Sequence, residues 1–190
     1  MKAFLIPGNG ENLKSRDYQA VLDIYEGLGY EPHFVSIKWK YRTIDDWVEQ
    51  ISSKISGQEL QDSLLSGFSF GSMIALSLAA KVNPKKLLLF SLSPYFKEDF
   101  PLPEKYKQWA GKRRVENFKR LSMDEMAAKI NCPTTIFIGK KEIDKHKDME
   151  LRSSRAHEKI KHSRLIVVKD VSHDVGDPKY VKSIKDSLNT

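Results

Sequence analysis

The sequence predicts a single doubly wound α/β domain with helices on both faces of a mostly parallel sheet, and three observations carry that reading. Six short apolar runs recur along the 190 residues, with helix-patterned segments between most of them. Several of the runs are apolar at consecutive positions, the pattern of strands covered on both faces. The composition, 40% hydrophobic and 30% charged, suits a chain that buries one core without metal or disulfide support.

In order, "KAFLI" (2–6) reads as the first strand. Residues 17–28 place Tyr18, Val21, Leu22, Ile24 and Tyr25 at helical spacing, and Gly29 supplies a stop. "HFVSI" (33–37) is the second strand, and Thr43 then caps a helix through 55 that buries Ile44, Trp47, Ile51 and Ile55. "SLLSGF" (63–68) leads into a helix at 69–81 that is apolar nearly all round, hence deeply buried. "KLLLFSL" (86–92), "TTIFIG" (134–139) and "RLIVVK" (164–169) complete six strands, with helices at 149–160 and 179–188. Strands alternating with helices imply right-handed crossovers.

Residues 94–131 break the alternation, at a length too great for an ordinary connection. Prolines open the stretch, and Tyr95, Phe96, Phe100, Tyr106, Trp109 and Phe118 follow. It is expected to form a small cap over the carboxyl ends of the strands, where open α/β sheets bind ligands. The alternative is an extra helical pair packed on the sheet edge.

Composition also bounds the function. Cys132 is the single cysteine, which rules out an intramolecular disulfide and a cysteine metal cluster, and fits a reducing compartment. The apolar run in "MKAFLIPGNG" is too short for a signal-peptide core, and no run approaches a membrane span. A cytoplasmic protein without membrane partners is expected. The net charge of +7 is spread among acids; even residues 97–121 set Glu98, Asp99, Glu104 and Glu116 against eight Lys and Arg. With no nucleic-acid-binding signature, the excess reads as a solubilising surface.

The chemistry centres on "GFSFGS", where Ser69 stands between Gly67 and Gly71 at a predicted strand-to-helix junction. Such a motif is either a plain turn or a nucleophile elbow, and a nucleophilic serine needs a base. Of five histidines, His173 in "VSHD" follows the last strand, at the same carboxyl edge as the elbow. A third group must orient the imidazole, and the loop after the fifth strand offers Glu142 and Asp144, either of which reaches that edge. Asp148 reads as the cap of the next helix. Two oxyanion donors are required: the Phe70 amide directly after the serine, and the Asn9 amide in "IPGNG".

These stretches, with "KINCPTTIFIGKKE" before the acid loop, resemble the serine hydrolases of the α/β-hydrolase superfamily over nearly the whole length. The resemblance implies the chain order Ser69, Glu142, His173 for nucleophile, acid and base. It also implies a sheet order 2-1-3-4-5-6, the family's usual first two strands being absent. Glu142 takes the position of the more common aspartate, and Pro7 that of a histidine often found before the oxyanion glycine. By resemblance the protein is expected to hydrolyse a small-molecule ester or related acyl substrate through an acyl-enzyme, without metal or organic cofactor. A thioesterase, an acyltransferase or a silent ligand-binding protein on the same scaffold are the alternatives. The cap aromatics and the Phe70 ring suggest an acyl or aryl pocket, and Lys105, Lys107, Lys112, Arg113 and Arg114 suggest attraction of an anionic substrate.

Overall fold

A computed structural model of the chain describes residues 1–189. Its strands are β1 (Lys2–Ile6), β2 (Glu31–Phe34), β3 (Leu64–Phe68), β4 (Lys86–Phe90), β5 (Thr134–Gly139) and β6 (Ser163–Val168). The helices are α1 (Tyr18–Gly27), α2 (Ile44–Ser52), α3 (Gly57–Gln61), α4 (Phe70–Val82), α5 (Glu104–Ala110), α6 (Lys112–Phe118), α7 (Met123–Ala127), α8 (Lys140–Lys145), α9 (Lys147–Lys159) and α10 (Pro178–Leu188). The strands form one sheet in the order β2-β1-β3-β4-β5-β6, every neighbouring pair parallel.

Both faces are covered, so strand residues of either parity are buried. On one face Ala3, Leu5, Leu64, Phe68, Leu88 and Phe90 pack with Tyr18, Val21 and Tyr25 of α1 and Tyr180 and Ile184 of α10. On the other, Phe4, Ile6, Leu65, Leu87 and Leu89 pack with Trp47 and Ile51 of α2 and with most of α4. Helix α4 is wrapped by sheet, α2, α3 and α7, which accounts for its all-round apolarity. Thr43 caps α2 as expected, and the structure adds a reciprocal capping box: Asp46 N–H bonds the Thr43 hydroxyl, and Thr43 N–H bonds the Asp46 carboxylate at 2.8 Å.

The structure shifts several boundaries. β2 begins at Glu31 and ends at Phe34, where residues 33–37 were expected, because Pro32 reads as a breaker yet pairs with Ala3. A strand edge tolerates the missing N–H. β4 stops at Phe90, two residues early, where Ser91 turns the chain at φ 50. α2 ends at Ser52, and the short helices α3 and α8 were not foreseen. Asp148 does not cap α9: His146 occupies that position, and Asp148 lies in the first turn.

Residues 94–131 hold a 3-10 turn (Lys97–Asp99) and α5 to α7. Tyr95, Tyr106 and Trp109 stand over the carboxyl end of the sheet, whereas Leu121, Met123, Ala127 and Ile130 enter the core beside α4.

Candidate active site

The β3–α4 junction is a strained elbow. Ser69 has φ 56 and ψ −116, a conformation an L-residue holds only when its surroundings enforce it, at a cost of about 1–3 kcal/mol. Its N–H donates to Phe90 O at 2.8 Å, and its carbonyl accepts from Ser72 N–H at 3.0 Å. The glycines two positions either side permit the tight crossing. A Cβ on Gly67 would lie 2.1 Å from Gly71 O, and one on Gly71 would lie 2.2 Å from Ile6 O.

Glu142 sits in the first turn of α8, directly after β5, and is 2% exposed. Its Oε1 lies 2.6 Å from His173 Nδ1. Its Oε2 accepts the Ser91 hydroxyl at 2.7 Å, and Tyr180 OH in turn lies 3.2 Å from Ser91 Oγ. An ionised carboxylate only accepts, so a bond to it is donated by Nδ1–H, and in the neutral imidazole Nε2 then carries the lone pair. Burial, with the Glu142 carboxylate nearby, raises the Tyr180 phenol well above its ordinary value, which keeps it a donor. Asp144 is exposed and pairs with Lys140 on the surface.

Ser69, Glu142, His173, Asn9 and Phe70 line one cavity of about 380 Å³. Within it the Ser69 hydroxyl lies 3.2 Å from Ser93 Oγ, and no hydrogen bond joins Ser69 to His173. Phe70 is the first residue of α4, so its N–H has no carbonyl within the helix to bond. No hydrogen bond takes up the Asn9 N–H among the described residues, and Asn9 Oδ1 is buried without a partner. The Phe70 ring continues the cavity wall through Tyr95 and Trp109, at centroid distances of 5.3 and 5.6 Å.

A larger cavity of about 890 Å³ adjoins it, the two sharing Pro94, Tyr106, His146 and Asp148. None of the five cations expected to attract substrate lines the smaller cavity. Lys105 lines the larger one, and Lys112, Arg113 and Arg114 line a separate groove with Lys40 and Arg42. The reason is local: Arg113 and Arg114 are drawn away by the carbonyls of Tyr41, Arg42 and Trp39. Sequence reasoning missed Ser91, Ser93 and Glu11. The first two lie in "SLSP" just past β4, at the carboxyl edge that singled out His173.

No protein-family model matches the chain, and no curated protein sequence does. Solved structures do. The chain is similar to Est1E from Butyrivibrio proteoclasticus, at TM-score 0.77 and 16% identity over 99% of this chain and 88% of that one. Est1E has also been solved with ferulic acid bound. Alpha/beta hydrolase domain-containing protein 10 from mouse is similar at TM-score 0.72 and 15% identity, over 99% of this chain and 88% of that one. A bromoperoxidase from Bacillus anthracis is similar at TM-score 0.71 and 14% identity, over 100% and 91%. At these identities the likeness speaks for the fold, which the sheet order supports independently: the chain has the α/β-hydrolase fold.

Proposed function

We propose that this protein is a serine hydrolase that cleaves a carboxylic ester or related acyl substrate through an acyl-enzyme. The observation that carries the reading is the Glu142–His173 hydrogen bond beside a strained serine in one cavity. In this reading Ser69 Oγ turns from Ser93 toward His173 Nε2 as substrate enters. Oγ bonds the acyl carbon while its proton passes to Nε2, and Glu142 stabilises the imidazolium. The Asn9 and Phe70 N–H groups take the developing oxyanion. Collapse breaks the bond to the leaving group, which receives the Nε2 proton, and water repeats the sequence to release the acid.

No metal or organic cofactor takes part in these steps. The wall of Phe70, Tyr95 and Trp109 suits an aryl or medium-length acyl group, in keeping with the ferulic acid seen on Est1E. Thioesters, or acyl transfer to an acceptor other than water, would use the same groups. A cytoplasmic setting and a small-molecule substrate, without nucleic-acid or membrane partners, complete the reading.

One observation favours a second reading, a ligand-binding protein without turnover: the Ser69 hydroxyl engages Ser93 rather than His173. Pre-steady-state kinetics on p-nitrophenyl acetate, butyrate and benzoate separate the two. A hydrolase gives a burst of nitrophenol followed by turnover, and Ser69→Ala lowers kcat about a thousandfold or more. A folded wild type that binds aryl acids yet turns over no ester or thioester supports the second reading.

A further inference from the structure

Arg16, just ahead of α1, joins two loops that meet at the cavity. Its Nε donates to Glu11 Oε1 at 2.7 Å, and its Nη1 donates to the His173 carbonyl at 2.9 Å and reaches Asp174 Oδ1 at 3.5 Å. The guanidinium carbon lies 4.9 Å from the centroid of the Phe68 ring, and that ring is 4.6 Å from the His173 imidazole. Glu11 itself lines the cavity. Its Oε2 accepts from Tyr18 OH, which in turn accepts the Gly8 N–H at 2.9 Å.

The loop after β6 is anchored before His173 by the Lys141 N–H to Val171 O bond at 2.9 Å and by burial of Val171 and Val175, and residues 172–176 add bonds among themselves, Asp174 N–H to Ser172 O and Gly176 N–H to Asp174 Oδ1. Among the described residues, apart from the neighbouring Asp177 N–H on Asp174 O, the Arg16 bond is the one hydrogen bond that reaches the main chain of residues 172–176 from outside that segment. Glu142 holds one ring nitrogen of His173 and the Phe68 ring lies against the imidazole, but neither bonds the main chain that carries it, which leaves that segment freedom to shift. A second anchor on the main chain removes that freedom, and the fork of a guanidinium can hold a carboxylate and a carbonyl at once.

We propose that Arg16 is a positioning residue that locks the His173 loop to the Asn9 loop, so that the base and the oxyanion donor keep a fixed spacing. The proposal rests on the hydrolase reading for its catalytic meaning, whereas the lock itself is a statement about His173. The test therefore uses two readouts on the full chain. One is the downfield NMR signal of the His173 Nδ1 proton held by Glu142; the other is kcat and KM on p-nitrophenyl butyrate.

Arg16→Met is expected to broaden the proton signal away through exchange and to lower kcat about 10- to 100-fold with KM little changed. Arg16→Lys, keeping a charge but not the fork, restores part of both. Asp174→Asn, which weakens only the longest of the Arg16 contacts and keeps an oxygen to accept the Gly176 N–H, stays within about twofold of wild type. Should Arg16→Met fail to fold with Glu11 unpaired, Glu11→Gln combined with Arg16→Met keeps the bond to Tyr18 and is expected to show the same losses.

The proposal is overturned if Arg16→Met, alone or with Glu11→Gln, folds and keeps the signal and a kcat within about twofold of wild type. A wild type without the signal between about pH 5 and 8 overturns it equally. If the signal is lost in Arg16→Met but wild type turns over no ester, the lock stands and the hydrolase reading falls. If wild type is active and the signal and rate persist, the reverse holds.

Discussion

Ser69 stands at φ 56 because Gly67 and Gly71 let β1, β3 and α4 approach more closely than side chains allow. Gly71→Ala would drive a methyl group against main-chain carbonyls that cannot swing aside, so a loss of about 3 kcal/mol or more is expected by urea denaturation. The same approach aims Ser69 into the cavity, so any folded fraction should also react more slowly with acylating reagents. At the proposed acid, Glu142→Gln is expected to lower kcat about a hundredfold or more, while Asp144→Asn leaves it within about twofold. The reverse outcome on p-nitrophenyl butyrate would reassign the role to Asp144. At this scale the sequence marked Ser69 and His173 by their positions after strands. It could not choose between Glu142 and Asp144, because the choice depends on a helical turn at α8 that buries one carboxylate and exposes the other. Glu11 escaped notice because its partners, Arg16 and Tyr18, become meaningful only once the loop after β6 is folded beside them.

The elements around the cavity are fastened by polar contacts as well as packing. Glu98, in the 3-10 turn, accepts the Ser122 hydroxyl at 2.5 Å and the Met123 N–H at 3.0 Å, anchoring the start of α7. Burial alone would raise the Glu98 carboxyl, but the Ser122 hydroxyl and nearby main-chain N–H groups outweigh it and hold the group below 4.5. A folded-state value below the unfolded one means stability present above about pH 4.5 and lost as pH falls through the folded value. Glu98→Gln is thus expected to melt below wild type at pH 7, with the gap narrowing below about pH 4.5; a gap constant down to pH 3 would contradict this account. On α5, Trp109→Ala opens the aromatic wall and is expected to raise KM for p-nitrophenyl benzoate more than for the acetate. The buried strands and α4 were legible because apolar runs need no tertiary context. β2 was misplaced because Pro32 is a breaker in isolation and harmless at an edge, and α3 and α8 are too short to show a period.

Across the whole molecule, the parallel order β2-β1-β3-β4-β5-β6 delivers the loops after β1, β3, β5 and β6 to one edge of the sheet. That edge gathers Asn9, Ser69, Glu142 and His173, residues spread over most of the chain. The alternation of strands and helices carried this much of the site in advance; where residues 94–131 divide between cavity wall and core did not follow, since large apolar side chains recur in both halves. The charge of +7 lies on a mixed surface, so fluorescence anisotropy at low salt is expected to show no binding to single-stranded oligonucleotides. Whether His173 and Glu142 activate Ser69 is tested, without knowledge of the substrate, by intact-mass spectrometry after incubation with a fluorophosphonate. One adduct per chain is expected, mapped to Ser69, absent in Ser69→Ala and slowed about a thousandfold in His173→Ala with both variants folded. A folded wild type that remains unmodified, or one labelled equally fast without His173, would contradict that activation.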